Sequence, residues 1–223
     1  TVSGTLSVTS TGAITDNGAA LAVSGTTTLA ASSGNNITLD TTGNNFTGAV
    51  IVTSGNDVAL VDTNAIVMGA STVSGTLSVS ATGTITDNGG ALVVTGTTTL
   101  ASGSANDITL NTAGNNFTGA VIITSGNDVA LVDTNAIVMG ASTVSGNLAV
   151  TSTGTITDNG GALAVTGTTT LAAGSGNDIT LNTAGNDFTG AVAITSGNDV
   201  TLVDASAIVM GASTVSGTLS VTS

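Results

Sequence analysis

The sequence predicts an all-β fold, a right-handed parallel β-helix (β-solenoid), and three observations carry that prediction. The first is repetition. The stretch Thr1-Val2-Ser3-Gly4-Thr5-Leu6-Ser7-Val8 returns at 72–79, at 143–150 with Asn147 and Ala149 substituted, and at 214–221. The starts at 1, 72, 143 and 214 are evenly spaced, so one supersecondary unit is reiterated rather than several domains strung together. The second is alternation of apolar and polar residues with period two, the pattern of a strand with one buried face. The third is composition. Glu, Gln, Lys and Arg, the straight-chain helix formers, are absent, while Thr, Val, Ile, Gly and Asn abound.

The units run 1–71, 72–142 and 143–213, with 214–223 opening a fourth, and are expected to form one continuous solenoid, an excerpt of a longer array. Inside each unit a weaker beat recurs: Val or Phe, then Ser or Thr, then Gly. It falls at Val23-Ser24-Gly25, Phe46-Thr47-Gly48, Val73-Ser74-Gly75 and Val94-Thr95-Gly96, in steps of 23, 27 and 21. Two and four places past the glycines stand Thr27 and Leu29, Val50 and Val52, Leu77 and Val79, which gives the first strand of each lap. Corners rich in Asn, Asp, Ser and Gly follow, residues that tolerate positive φ and bond their own backbone. A second short strand comes next (37–39, 58–61, 85–86), then another polar corner, then a strand leading back to the beat.

A lap of three strands that returns above its own start is one coil of a solenoid, and the default hand of parallel crossovers is right. The reading gives about three coils per 71-residue repeat and about nine in all, ~4.8 Å apart. Inward positions are Ile14, Leu21, Val23, Leu29, Ile37, Leu39, Phe46, Val50, Val52, Val58, Leu60, Val73, Leu77, Val79 and their copies, with Asn or Ser stacks at the corners. The longest lap contains 65–71, read as an extra strand segment or a bulge.

Composition also bounds function. All thirteen charges are Asp, for a net charge of −13. With no Lys or Arg, nucleic-acid binding and adhesion to anionic lipid are not expected. No apolar run approaches the ~18 residues of a membrane helix, so no membrane insertion is expected in this segment. Apolar residues make up 40% and charged residues 6%, which favours a packed core over disorder.

Asp57, Asp62, Asp128, Asp133, Asp199 and Asp204 recur at corners and are the candidate metal ligands, since carboxylate and carbonyl oxygens suit calcium. The plainer reading makes such residues Asx turns on solvated corners. Asp16, Asp87 and Asp158 recur in the same way. Thr26-Thr27-Thr28 invites comparison with the threonine rows of ice-binding solenoids, but the next laps offer Ala49 and Ile51, then Thr76 and Ser78, so the row is broken. Paired Asp residues serve as acid and base in glycosidases. Without His, Lys, Arg, Cys or Tyr, and with no loop interrupting the repeat, no enzyme activity and no cofactor are expected.

The phrases Gly-Asn-Asn-Phe-Thr-Gly-Ala-Val (43–50), Gly-Asn-Asp-Val-Ala-Leu-Val-Asp (55–62) and Ser-Thr-Val-Ser-Gly-Thr-Leu-Ser-Val (71–79) resemble giant bacterial exoproteins of the filamentous-haemagglutinin-like, β-strand-repeat adhesin kind. The resemblance covers the whole chain and is one of repeat style. It implies a right-handed β-helix, export to the cell surface or medium, often by two-partner secretion, and roles in adhesion, aggregation or fibre formation. It carries over no binding residue. The functional expectation is a structural segment of an extracellular fibre or filament: a stiff, protease-resistant rod that self-associates end to end or laterally. The alternatives are an adhesin shaft binding calcium or glycans through acidic corners and, more remotely, an ice-binding solenoid.

Overall fold

A computed structural model describes all 223 residues, and every element in it is a short strand. No helix is long and apolar enough to cross a membrane. The first unit supplies ten strands: β1 (Leu6–Thr9), β2 (Ile14–Thr15), β3 (Ala22–Val23), β4 (Thr27–Ala30), β5 (Ile37–Leu39), β6 (Asn45–Phe46), β7 (Val50–Ser54), β8 (Val58–Asp62), β9 (Ile66–Val67) and β10 (Ser71–Val73). The second unit repeats the set from β11 (Leu77–Ala81) to β20 (Ser142–Val144). The third begins with β21 (Leu148–Ser152) and runs to β28 (Val200–Val203), and β29 (Leu219–Thr222) opens the next round.

Every pairing is parallel, and up to β28 each strand's ladder partners lie three places before or after it in sequence. Three strands therefore make one coil, and the molecule is a parallel β-solenoid with three faces. Ladders such as β2-β5-β8-β11-β14-β17 climb a single face. Isolated parallel bridges extend others past their formal ends, as at Gly55↔Val73 and Gly126↔Val144.

The longest lap explains the architecture's main departure from a simple stack. It holds four strands, β7 to β10, where the shorter laps on either side of it hold three each. Ten strands per unit at three per coil give three and a third coils per repeat, and about ten coils in the chain. On a spacing of ~4.8 Å, one repeat rises ~16 Å. The extra third turns each repeat by one face relative to the last. Thus β4 shares a face with β1 and β7, and its copy β14 (Thr98–Ala101) lies on the face of β2, β5 and β8. The third copy, β24 (Thr169–Ala172), lies on the face of β9. Equivalent residues wind around the rod, one face per repeat.

The core is one cluster of 45 buried hydrophobic residues along the axis. It contains every inward position read from the first unit except Leu21, which is half-buried on the first coil; its copies Leu92 and Leu163 are fully enclosed. Like residues stack, as in Ile66↔Ile85↔Ile108, and Val94 lies over Phe117. Ile66 and Met68 of the extra strand segment are buried too, which makes that segment a wall of the solenoid. No coil could bury these side chains alone; each is covered by the coils above and below.

One corner accounts for the Val/Phe-Ser/Thr-Gly beat. Gly4, Gly25 and Gly48 lie on consecutive coils, with the Gly25 N–H donating to the Gly4 carbonyl at 3.0 Å. A Cβ on Gly25 would sit 2.8 Å from the Gly4 carbonyl, and one on Gly48 would sit 2.4 Å from the Gly25 carbonyl carbon. Gly96 and Gly119 press on Gly75 and Gly96 in the same way, as do Gly167 and Gly190 on Gly146 and Gly167. Backbone meets backbone there too closely for any side chain.

Candidate functional site

The aspartates that recur in every unit divide into three sets by the phase of the strands that hold them. Asp57, Asp128 and Asp199 precede strands and lie at solvent-facing corners. Each uses one carboxylate oxygen to hold the next coil. Asp57 Oδ1 accepts from the N–H and hydroxyl of Thr76 at 2.9 and 3.0 Å, and Asp199 Oδ1 from those of Thr218 at 2.8 Å each. Asp128 Oδ1 accepts from the N–H and amide of Asn147 at 2.7 and 3.0 Å. The Thr218 donors hold the Asp199 carboxyl below the usual carboxylate range.

Asp62, Asp133 and Asp204 belong to the interior, contrary to the solvated corner expected of them. Asp62 follows Val58 and Leu60 with period two, so its side chain turns inward and is 1% exposed. Its Oδ2 accepts from the Phe46 N–H at 3.1 Å and its Oδ1 from the Asn64 N–H at 3.1 Å, the latter an Asx turn. Asp133 makes the same pair with Phe117 and Asn135 at 3.0 and 2.9 Å. Burial pushes both carboxyls above their ordinary value, the backbone N–H donors opposing it only in part.

Asp16, Asp87 and Asp158, in phase with Ile14 and its copies, are also buried. Each grips a fully buried asparagine farther along the chain. Asn44 donates its amide to Asp16 at 2.7 Å, Asn115 to Asp87 at 2.6 Å, and Asn186 to Asp158 at 2.7 Å. The Asn44 side-chain carbonyl in turn accepts from the Leu21 N–H at 2.8 Å. Burial raises Asp16, but the Asn44 amide and the Thr41 N–H outweigh it and hold the carboxyl below its ordinary value. These are inward polar pins that satisfy buried backbone where the chain turns a corner.

The candidate calcium ligands are therefore not brought together. Asp57 stands just before β8 and Asp62 at its far end, one facing solvent and the other the core. No group of three or more carboxylates converges anywhere. The aspartates that do touch are Asp107 with Asp128 and Asp178 with Asp199, on adjacent coils, the carboxylate of the first bonded to the backbone of the second. Asp107 Oδ1 accepts from the Asp128 N–H at 3.1 Å, and Asp178 Oδ1 from the Asp199 N–H at 3.1 Å. In the first unit Asn36 takes the place of the first carboxylate of the pair.

The faces between corners carry short uncharged side chains. On the broad strands of one face the outward residues are Ala59, Val61, Ser78, Ser80, Thr99 and Ala101. Thr27, Thr98 and Thr169 point inward instead, fully buried, their hydroxyls without a partner. A threonine row on one surface is thus absent on two counts: the middle threonine faces the core, and each copy sits on a different face.

A family model described as "Repeats of unknown function (DUF5649)" matches residues 1–53, 55–124, 126–195 and 197–223. The chain belongs to this family. The later DUF5649 matches start at 55, 126 and 197, in step with the repeat itself, and skip only Ser54, Ser125 and Ser196. Those serines lie where the ladder slips by one place: Leu29 pairs with Val52 but Ala30 with Ser54. Neither the curated proteins nor the solved structures contain a match to this chain.

Proposed function

We propose that this DUF5649 chain is a structural rod, a segment of an extracellular bacterial surface fibre. The observation that supports the reading best is continuity. Three walls of strands climb the stack, and no loop leaves it to build a pocket, so surface chemistry is alike along the length. Parallel strands bonded on both sides and a shared axial core resist bending and local opening. The chain offers trypsin no Lys or Arg, and the only aromatic residues it offers chymotrypsin are three buried Phe. The filamentous-haemagglutinin-like style of the repeats favours the cell surface, with neighbouring copies as partners. End to end, an open coil presents unpaired strand edges. Side by side, uncharged faces meet while the carboxylates stay at the corners.

The test is immuno-electron microscopy with antibodies raised against one repeat. Label on filaments of intact cells is the expected result; label seen only after lysis overturns the extracellular reading. A chain with twice as many units should be twice as long at unchanged width, and a wider, rounder particle would overturn the rod.

A second reading, an adhesin shaft holding calcium, draws on the stacked pairs Asp107/Asp128 and Asp178/Asp199. Each carboxylate there accepts through Oδ1 and leaves its other oxygen without a donor from the chain. Like charges on adjacent strands also repel, and a cation between them would relieve it.

A further inference from the structure

We propose that the corners Asn88-Gly89 and Asn159-Gly160, and more slowly Asn17-Gly18, are built-in deamidation sites, one per repeat. All three asparagines are exposed, and the chain turns back on itself around them. The N–H of Ala19 donates to the Asp16 carbonyl at 2.9 Å, that of Gly90 to Asp87 at 2.6 Å, and that of Gly161 to Asp158 at 2.7 Å. Gly18, Gly89 and Gly160 take φ of +78°, +78° and +77°, and a Cβ on any of them would meet nothing within 4 Å. The corner projects into open solvent, with room for a ring to close.

What singles these asparagines out is a free amide directly followed by glycine. At several other corners the amides are tied down: Asn64 to Asn45 at 3.0 Å, Asn135 to Asn116 at 2.9 Å, Asn56 to Asn36 at 3.0 Å and Asn127 to Asp107 at 2.9 Å. The amides of Asn17, Asn88 and Asn159 have no such partner, and the N–H groups of Gly89 and Gly160 donate to no backbone carbonyl. The Gly18 N–H leans on the Asp16 carboxylate, and Asn17 sits at φ +45°, so the first corner is the more constrained.

The reaction balances with water alone. The Gly89 nitrogen attacks the side-chain carbonyl carbon of Asn88. A C–N bond forms, the C–N bond to the amide breaks, and ammonia departs with the glycine's proton. Water then opens the five-membered imide at one carbonyl or the other, giving Asp or isoaspartate. Each event adds one carboxylate, so three convert the net charge from −13 to −16. The screw of the repeat distributes these events over all three sides of the rod. Isoaspartate also lengthens the backbone beside Gly90, where a Cβ would already lie 2.3 Å from the Ala70 nitrogen. The corner that ages is therefore next to one with no slack, and isoaspartate at 88 should loosen it.

The test is to incubate the purified chain at physiological temperature and mildly alkaline pH. Intact mass is followed, and thermolysin peptides are mapped by electron-transfer fragmentation. The expected result is that Asn88 and Asn159 react about tenfold or more faster than Asn64 and Asn135, given the advantage of an unhindered intramolecular attack. Asn88→Ser should abolish the signal at 88 and leave Asn159 unchanged. Rates at Asn88 and Asn159 equal to those at Asn64 and Asn135 overturn the proposal. So do rates far below those of the same chain unfolded in urea.

Discussion

Replacing Gly96 by Ala tests the backbone-on-backbone corner directly. The new Cβ would sit 2.5 Å from the Gly75 carbonyl oxygen and 2.7 Å from its carbon, against an ordinary contact of 3.4 Å or more. To restore van der Waals contact, the coils must separate there by about 0.9 Å. The Gly96 N–H to Gly75 carbonyl bond, 2.7 Å long, then stretches past useful length. Overpacking of this kind costs about 1–3 kcal/mol, and the lost bond about 1 kcal/mol. A total of about 3 kcal/mol, set against an unfolding entropy of ~2.1 cal/mol/K per residue, lowers the melting temperature of a cooperatively unfolding 223-residue chain by about 6 °C. If the coils unfold in smaller blocks, the affected block shifts further. The assay is far-UV circular dichroism on heating, with hydrogen exchange to place the weakened coil. Gly176→Ala is the control, because a Cβ there meets nothing within 4 Å and the backbone has no positive φ. It should cost under about 0.5 kcal/mol. Equal melting of the two variants would refute the argument that crowding fixes this glycine ladder.

Thr98→Val removes a buried hydroxyl that has no partner, and should stabilise the chain by about 1 kcal/mol, measured by guanidinium unfolding; a loss of stability would show that the hydroxyl is satisfied. Stability should also rise as pH falls from neutrality towards mild acid. Asp62 and Asp133 have folded values above the ordinary 3.8, so the folded chain binds protons first and gains as pH drops through those values. Below that ordinary value of 3.8 the trend reverses, because Asp16 and Asp199, held low in the fold, must then be protonated. Melting curves across that range check both limbs, and Asp62→Asn should flatten the upper one. Chelation with EDTA should leave the melting temperature unchanged, since no three carboxylates converge at any corner; a fall of several degrees would favour the calcium-holding shaft.

Much of this fold can be read from the sequence because each signal has a single cause. The Val/Phe-Ser/Thr-Gly beat marks the crowded corner, and the alternation around Leu29, Val52 and Val79 marks the wall. The buried aspartates are legible too, by phase: Asp62 continues Val58 and Leu60, and Asp16 continues Ile14. Their residue type suggests solvent, but position in a strand outranks it when backbone donors are waiting inside. The fractional coil count is harder to see. Ile66 and Met68 alternate as a strand should, yet 65–71 has no Val-Ser-Gly beat of its own, so nothing local announces a further turn of the wall. The serine that helps to hold that turn in place, Ser71, accepts from the Val52 N–H at 2.9 Å, a bond too distant in sequence for any short window to contain.

The extra strand in every unit has a genetic corollary. Near-identical tandem copies invite unequal exchange, and losing or gaining one here leaves the hydrogen-bond ladders intact. What changes is the compass bearing of whatever lies beyond, which swings by a third of a circle and moves ~16 Å along the shaft. Only a gain or loss in multiples of three restores the original heading, so copy number in such an array sets direction as well as reach.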